Sequence, residues 1–358
     1  MRSKRPLGLM CLAGLLACSA PSSGRSDAGG SDAGGSDAGG SGATPMTFTD
    51  TVVMFHLNMQ EHGHLSEAVE IATRVLDLHE ELGVPLDVYL TTWMVDDLEG
   101  TELFSRLVAS PLVSVNYHTR PPLPYRANFC VGSNPCEDWY GLHAMDESAQ
   151  KAAVLAFESA RIDLATGQRL NTSGGFAKLT AALGRPPWVA GVESNGRQLQ
   201  RVVDEAFQEM GVTFVTSHAV GGSAEGDERN GVPIKPEAVD VKMFNTDTSL
   251  DNDACVATNM DGAALYDCEV ARCAGPAPCT VAFKMHDNDF LSHDAWWGLV
   301  YAKKGPNWNT ALQTPLYAAD DLVGANFQWT RYEQVVRRAA ERRSVYAIVG
   351  ARHWAARR

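Results

Sequence analysis

The sequence lacks the short motifs that mark two large classes of enzyme. It has no Gly-x-Ser-x-Gly segment, which excludes the serine hydrolases that carry their nucleophile on a strand-to-helix elbow. It has no glycine-rich phosphate loop, which excludes the nucleotide-binding enzymes that depend on one. Positive charge is in deficit, because the formal net charge is −13. That balance argues against nucleic acid as a partner.

Cysteine pairs of the Cys-x-x-Cys type are also missing, so a structural zinc site is less favoured than disulfide bonds. Two of the eight cysteines lie near the amino terminus, and the remaining six are an even number, which suggests disulfides in an exported chain. We expect Cys130 to pair with Cys136. The other four are expected to pair among themselves: Cys255, Cys268, Cys273 and Cys279.

The amino-terminal residues have the layout of a bacterial lipoprotein signal. Residues 1–17 place basic side chains before an apolar run that is too short to span a bilayer as a helix. The segment Leu15-Leu16-Ala17-Cys18 resembles a lipobox, which implies that Cys18 is lipidated. An ordinary signal peptide with a chance cysteine is the alternative. The predicted location is the bacterial cell envelope, at the outer membrane or cell surface, with the lipid as the only membrane contact.

Residues 18–46 predict a flexible linker, because a repeated Ser-Asp-Ala-Gly-Gly unit cannot bury apolar surface. Residues 47–358 then predict one α/β domain. Its first strand lies near 51–59 and is followed by an amphipathic helix from Ser66, which Gly83 is placed to end. About seven strands alternate with helices. This predicts a (β/α)7-type distorted barrel of parallel strands, with an open doubly wound sheet as the alternative.

Two stretches break this alternation, 119–145 and 218–279. Both follow predicted strands and both contain cysteines, so we predict two disulfide-bearing loop insertions. Such insertions lie on the face where α/β proteins carry their sites. The helices predicted after the third strand cover 146–165, 175–183, 197–210 and 331–343.

Polar side chains gather where three predicted strands end. The residues at alternate positions of the first strand and its continuation are His56, Asn58, Gln60, His62 and His64. An extended chain places alternate residues on one face. His118 and His286 follow two other apolar strands. Because the carboxyl ends of parallel strands share one edge of the fold, these histidines are predicted to converge there.

In the order of its elements the domain resembles the polysaccharide deacetylase superfamily, over most of residues 50–350. The segment Met54-Phe55-His56-Leu57 stands at the position of the first motif. His118-Thr119 matches the first half of the second motif, and Arg185-Pro186-Pro187-Trp188 matches the third. Phe283-Lys284-Met285-His286 resembles the last. The resemblance implies a hydrolase that uses a bound divalent metal, and it implies pocket-shaping roles for Arg185 and Trp188.

The chain departs from the family pattern at the metal ligands. Both aspartates of the first motif are replaced, by His56 and Leu57 or, with a shift of one residue, by Leu57 and Asn58. The second histidine of the second motif falls on Pro122. Nitrogen and oxygen donors nevertheless remain for a zinc-like ion with an open position, which would acidify a bound water. The predicted metal ligands are His56, His62, His118 and Asp289. The predicted catalytic residues are Glu61, Asp287 and His286. The predicted substrate-binding residues are Asn58, Gln60, Arg185 and Trp188.

Two functions follow from these residues. The first is a metal-dependent hydrolase that removes acyl groups from a glycan or another cell-envelope polymer, with Zn²⁺ as the expected ion. The second is a catalytically degenerate lipoprotein that binds carbohydrate or metal at the same pocket without turnover.

Overall fold

Strands alternate with helices along the domain, as the sequence predicts. The computed structural model describes residues 51–60, 65–118, 145–162, 169–191, 197–216, 223–237, 239–242, 255, 261–273, 278–290 and 324–357. The strands are β1 Thr51–Met59, β2 Leu86–Leu90, β3 Val113–His118, β4 Ala160–Ile162, β5 Arg169–Ser173, β6 Val189–Gly191, β7 Phe214–Val215, β8 Glu228–Arg229, β9 Val232–Pro233, β10 Val239–Lys242, β11 Cys279–His286 and β12 Ala347–Ile348.

The described part of the domain has nine α-helices. They are α1 Leu65–Leu82, α2 Thr92–Leu98, α3 Glu102–Ala109, α4 Glu147–Ser159, α5 Gly175–Leu183, α6 Arg197–Glu209, α7 Gly262–Arg272, α8 Gly324–Arg342 and α9 Ala351–Ala355. A 3₁₀ turn, Asp287–Phe290, follows β11. All belong to the unit Thr47–Arg358. The predicted residues outside the described ranges are Cys18, Glu61, His62, His64, Cys130 and Cys136.

Eight parallel strands form the main sheet: seven follow the order β10-β11-β1-β2-β3-β6-β7, and the eighth, β12, pairs with β1 beside this path. The sheet curls into a half-barrel, which confirms the predicted distorted barrel of parallel strands. Strand β1 pairs with three other strands. It pairs with β11 along one edge, and its other edge is shared between β12 at Val52–Val53 and β2 at residues 56–59.

The two faces of β1 have different surroundings because alternate side chains point to opposite sides. Val53, Phe55 and Leu57 belong to the main core, together with the apolar residues of α1 and α8. Val52 and Met54 belong to a second cluster that lines the inner face of the curl. This second apolar cluster is closed at the amino ends of the strands by residues that follow β12: Val349, Ala351 and Trp354.

Short polar residues cap the amino ends of several helices. In each case an N-cap side chain accepts a hydrogen bond from a backbone N–H of the first turn, which satisfies a group that the helix leaves unpaired. The caps are Thr91, Thr101, Asp146 and Asp261. Gly83 follows α1 with a positive φ angle of 63°, as its placement after the apolar stripe predicts, and Gly211 follows α6 with a φ of 86°.

One predicted boundary is wrong, and one predicted insertion contains more structure than expected. The helix expected over 146–165 ends at Ser159, and residues 160–162 instead form β4, which pairs antiparallel with β5. The segment 218–279 is not simply a loop insertion. It supplies β10, which pairs in parallel with β11, and the crossover helix α7 between them. Its four-residue strand is too short for periodicity in the sequence to identify it.

The described disulfides are Cys255–Cys268 and Cys273–Cys279. They confirm the expectation that these four cysteines pair among themselves. The pairing ties α7 to the residues before it and to the start of β11. In the described part of the chain, no helix combines the length and the apolar character that a membrane span needs.

Candidate functional site

The carboxyl ends of β1 and β11 bring one histidine to the rim of the half-barrel. Asn58 and His286 are register partners on these two strands, and Asn58 Nδ2 lies 3.3 Å from His286 Nε2. Asn58 is buried, whereas the side chain of His286 keeps 30% of its surface exposed. His286 is therefore the accessible member of the pair. The structure brings together these two residues, which the sequence predicted for the site.

Asp289 orients the ring of His286 from the 3₁₀ turn. Its Oδ2 accepts a hydrogen bond of 2.7 Å from the backbone N–H of His286 and lies 3.5 Å from His286 Nδ1. A carboxylate on the Nδ1 side favours the tautomer with its proton on Nδ1. The Nε2 lone pair is then directed towards Asn58. This arrangement can accept a proton at Nε2 and return it, which is the chemistry of a general base and acid.

Gln60 and Asp287 fasten the end of β1 to the turn after β11. The backbone N–H of Gln60 donates to Asp287 Oδ2 over 3.0 Å. Asp287 is fully buried, and Gln60 is 5% exposed. The hydrogen bond keeps the two strand ends adjacent beyond the last paired residues. Asp287 thus positions the rim, and its predicted catalytic role stays a prediction.

His118 ends β3 at some distance from His286. It is 3% exposed and is the register partner of Gly191 on β6. Two strands, β1 and β2, separate β3 from β11. Three strand spacings amount to about 14 Å on a flat sheet, and the curl shortens this distance. The two histidines therefore face the same rim from opposite sides of β1.

Below the rim, the inner face holds a cluster of fully buried charged and polar side chains. His56, Asp87 and Lys284 are register neighbours on β1, β2 and β11. Lys235 enters from the segment after β9. Its Nζ lies 2.6 Å from His56 Nε2 and 2.9 Å from an oxygen of Glu237. We call these five residues, together with Tyr89, the inner cluster.

Burial and the neighbouring ammonium groups determine the protonation of the inner cluster. Burial holds the pKa of His56 well below its usual value, and Lys235 lowers it further, while Glu237 acts in the opposite direction. Burial raises the pKa of Asp87, against the effects of Lys235 and of the Ala351 N–H. His56 is therefore neutral, and its Nε2 accepts a hydrogen bond from Lys235.

These contacts bear on the predicted metal site. His56 lies on β1 among the inner cluster, three residues before the strand ends, and its Nε2 is already paired with Lys235. A second ammonium group, that of Lys284, is held in the same cluster by Glu237. The two buried ammonium groups of Lys235 and Lys284 would repel a metal cation placed beside them. The described residues contain no group of three His, Cys, Asp or Glu that could hold a metal ion, so they do not fit the predicted zinc site.

Arg185 and Trp188 lie at the opposite end of the parallel strands from the rim. Both precede β6, so they stand at the amino ends of the parallel strands, whereas His286 and His118 stand at the carboxyl ends. The Arg185 guanidinium stacks 3.6 Å from the centre of the Trp188 ring. Burial and then Arg352 lower the pKa of Arg185 to about 10. The structure does not bring this pair to the rim.

Apart from His56, no residue of the inner cluster was predicted for the site from the sequence. One signal was available. Asp87 is a charged residue within an apolar strand. Lys284 lies two residues before His286, so the period of two places Lys284 and His286 on one face of their strand. Lys235 and Glu237 carried no such signal, because only the folded chain brings them to β1.

Comparison with known proteins gives weak likenesses. No family model matches the sequence, and no curated protein matches it. Among solved structures, a proposed polysaccharide deacetylase from Mycobacterium smegmatis has a TM-score of 0.44 at 11% identity, over 88% of this chain and 93% of that one. A peptidoglycan deacetylase from Bacillus subtilis has a TM-score of 0.36 at 9% identity, over the same shares.

A third solved structure, 4-alpha-glucanotransferase from Thermococcus litoralis, has a TM-score of 0.41 at 10% identity. The match covers 86% of this chain and 40% of the transferase. The resemblance to polysaccharide deacetylases that the sequence predicts is thus found among solved structures as well. At these TM-scores and identities it carries no argument about activity.

Proposed function

We propose that the protein is a hydrolase that removes acyl groups from a glycan or another cell-envelope polymer, with His286 as the group that transfers protons. The observation that supports this proposal is the pair His286–Asp289 at the rim of the half-barrel. His286 is partly exposed, Asp289 lies 3.5 Å from its Nδ1, and its Nε2 is directed to the rim beside Asn58. A histidine oriented by a carboxylate is a common general base and acid.

In the proposed reaction, Nε2 of His286 takes a proton from a water molecule while the water oxygen attacks the acyl carbon. The same nitrogen then gives the proton to the leaving amine or hydroxyl of the sugar, so the acyl group departs as a carboxylic acid. Asp289, whose Oδ2 lies 3.5 Å from Nδ1, stabilises the positive ring. We derive no step through a metal ion, because the described donors do not fit one.

The proposal is tested by measuring acetate released from acetylated chitin fragments and from peptidoglycan fragments. His286→Gln should lower the rate by about 100-fold or more, the usual range for removing a general acid–base group. Asp289→Asn should lower it less and should shift the pH profile, because the ring loses its orienting charge. His353→Gln is the matched control, since His353 lies on α9 at the other end of the barrel. Equal activity of His286→Gln and the wild type would refute the proposal.

Binding without turnover is the second candidate, and one observation favours it. At the first-motif position, where the resemblance places two aspartates, the chain has His56 and Leu57, and His56 is bonded to Lys235. A binding protein would show saturable affinity for the same fragments with no acetate release in the wild type. Isothermal titration on fragments of defined acetylation distinguishes the two functions.

We further propose that the protein is a lipoprotein of the cell envelope, anchored through Cys18. The support is the lipobox-like Leu15–Cys18 segment and the repeat-rich linker that follows it. Labelling with a radioactive fatty acid should mark the wild type and not Cys18→Ala, and only the wild type should sediment with membranes. An unlabelled wild type would refute the anchor.

A further inference from the structure

Two arginine side chains lie at the amino end of the sheet, opposite the rim. Arg352, on α9, donates from its guanidinium to the carbonyl of Val113, the first residue of β3. Arg185 precedes β6, and its guanidinium donates to the Pro186 carbonyl over 2.7 Å. Both guanidinium groups are therefore held by backbone oxygens, one at the start of β3 and one just before β6.

The pairing of β3 with β6 brings these two backbone oxygens close together. Val113 and Pro186 each stand four residues before a register pair of the two strands, Tyr117 with Ala190. Neighbouring strands of a sheet are about 5 Å apart. The two guanidinium groups that bind these oxygens are consequently neighbours at the amino end of the half-barrel.

No carboxylate compensates this pair of charges within the described ranges. The hydrogen bonds of Arg185 and Arg352 there all go to backbone carbonyls. Asp87 acts on Arg352 from a longer distance, but its oxygens already accept from the Ala351 N–H and from Lys235. Burial and then Arg352 lower the pKa of Arg185. The two positive charges repel each other, and an anion bound between them would relieve that repulsion.

Hydrogen-bond donors remain at the same place. A guanidinium has five N–H groups, and in the described part of the chain Arg185 donates to a single acceptor, the Pro186 carbonyl. Arg185 stacks 3.6 Å from the centre of the Trp188 ring, whose buried indole N–H has no described acceptor. An orphaned buried donor of this kind is costly and is usually satisfied by a bound ion or water. Both arginines also keep part of their surface exposed, so a ligand can reach them.

We propose that Arg185 and Arg352 bind a phosphate group at the amino end of the half-barrel. Guanidinium groups present paired donors that match the oxygens of a carboxylate or a phosphate. A carboxylate has two oxygens and one charge, which a single arginine satisfies, whereas a phosphate has enough oxygens for two. The residues before β1 join the domain at this same end, so a lipid headgroup and a soluble phosphate compound are both possible sources. The proposal does not depend on the acyl hydrolysis proposed above, because that reaction takes place at the rim.

The first test follows the indole N–H signal of Trp188 in the NMR spectrum of the full-length protein, assigned with Trp188→Phe. Inorganic phosphate should shift this signal to saturation with a Kd of about 1 mM or below, and chloride at equal ionic strength should not. Arg185→Gln should weaken binding by about tenfold or more. Arg357→Gln is the matched control, because Arg357 also stacks on a tryptophan at this end, Trp354, but is ion-paired with Glu225 at 3.0 Å. It should change the Kd by less than about twofold.

The second test identifies the source of the phosphate by the same signal. Glycerophosphoglycerol, the soluble headgroup of phosphatidylglycerol, is compared with glycerol 3-phosphate. Tighter binding of the diester would indicate a lipid headgroup, and tighter binding of the monoester would indicate a soluble compound; both support the site. A wild-type signal that responds to none of these phosphates would overturn the proposal. Equal losses of binding in Arg185→Gln and Arg357→Gln would also overturn it, since they would show general attraction to positive charge. Arg185→Lys, which keeps the charge and loses the paired donors, replaces the glutamine variant if that variant does not fold, and it should also bind more weakly than the wild type.

Discussion

Lowering the pH should destabilise the protein through His79, a histidine that the fold keeps uncharged. His79 lies near the end of α1 and is fully buried. Its Nδ1 donates to the Val84 carbonyl over 2.9 Å, and its Nε2 accepts from the Tyr332 hydroxyl over 2.6 Å. Because the carbonyl can only accept, these two contacts fix one neutral tautomer. A second proton has to enter a fully buried site.

Burial lowers the pKa of His79 from 6.5 to about 4, against the opposing effect of backbone hydrogen bonding. The unfolded chain therefore binds more protons than the folded one between these two values, and stability falls as the pH drops through that range. From about pH 7 to about pH 4.5, the free energy of unfolding should decrease by about 2.5 kcal/mol on account of His79 alone. His56 and His353, whose pKa values are also lowered, act in the same direction.

The assay is urea denaturation over this pH range, with the wild type compared with His79→Gln. Glutamine can donate to Val84 and accept from Tyr332, but it does not titrate. The variant should be less stable near neutral pH because the core is repacked, and its stability should then decline with acid by about 2.5 kcal/mol less than that of the wild type. Parallel declines in the two proteins would show that His79 is not kept neutral, and the reasoning from its burial would fail.

Three further predictions concern stability and are read by the same denaturation assay. Gly262→Ala should cost about 3 kcal/mol or more, because a Cβ there would overlap the Arg331 carbonyl oxygen where α7 crosses α8; a neutral result would mean that the helices separate freely. Replacing Cys255 and Cys268 by serine should cost about 3 kcal/mol, the value for a closed loop of this size, and reductant should then have less effect on the variant than on the wild type. Asn230→Ala should cost about 1–2 kcal/mol, because its φ of 55° is left-handed, and Asn230→Gly should be less harmful than the alanine.

The long periodic elements were predictable from the sequence alone. The first strand was expected near 51–59 and covers Thr51–Met59, and the first helix was expected from Ser66 to about Gly83 and covers Leu65–Leu82. Both carry enough apolar residues at a fixed spacing to define their period, and the glycine supplies the end. The arrangement of parallel strands followed from the alternation of these elements.

The short strands could not be predicted in the same way. Each of these strands has two to five residues, too few for a period to be measured: β4 and β5 of the first hairpin, β8 and β9 of the second, and β10. The Asn230-Gly231 dipeptide was a usable signal for the second hairpin, because few other residue pairs adopt two positive φ angles. The end of α4 carried no comparable signal.

The candidate site was predicted in part. The rim pair Asn58 and His286 followed from two strand ends that share one edge, which is a property of parallel sheets. The partner of His56 did not follow, because Lys235 reaches it through a hairpin and a bridge to β7 far along the chain. Local pattern reveals which face a side chain occupies, but it does not reveal which distant residue meets it there.

The pairing of β1 has a consequence for how the domain folds. One edge of this central strand needs β11, and the amino half of its other edge needs β12. Both partners come after most of the domain in the chain, so long loops have to close before β1 is fully paired. We expect slow folding and late completion of the sheet. A chain truncated before β11 would expose an apolar strand with an unpaired edge, which is a template for aggregation.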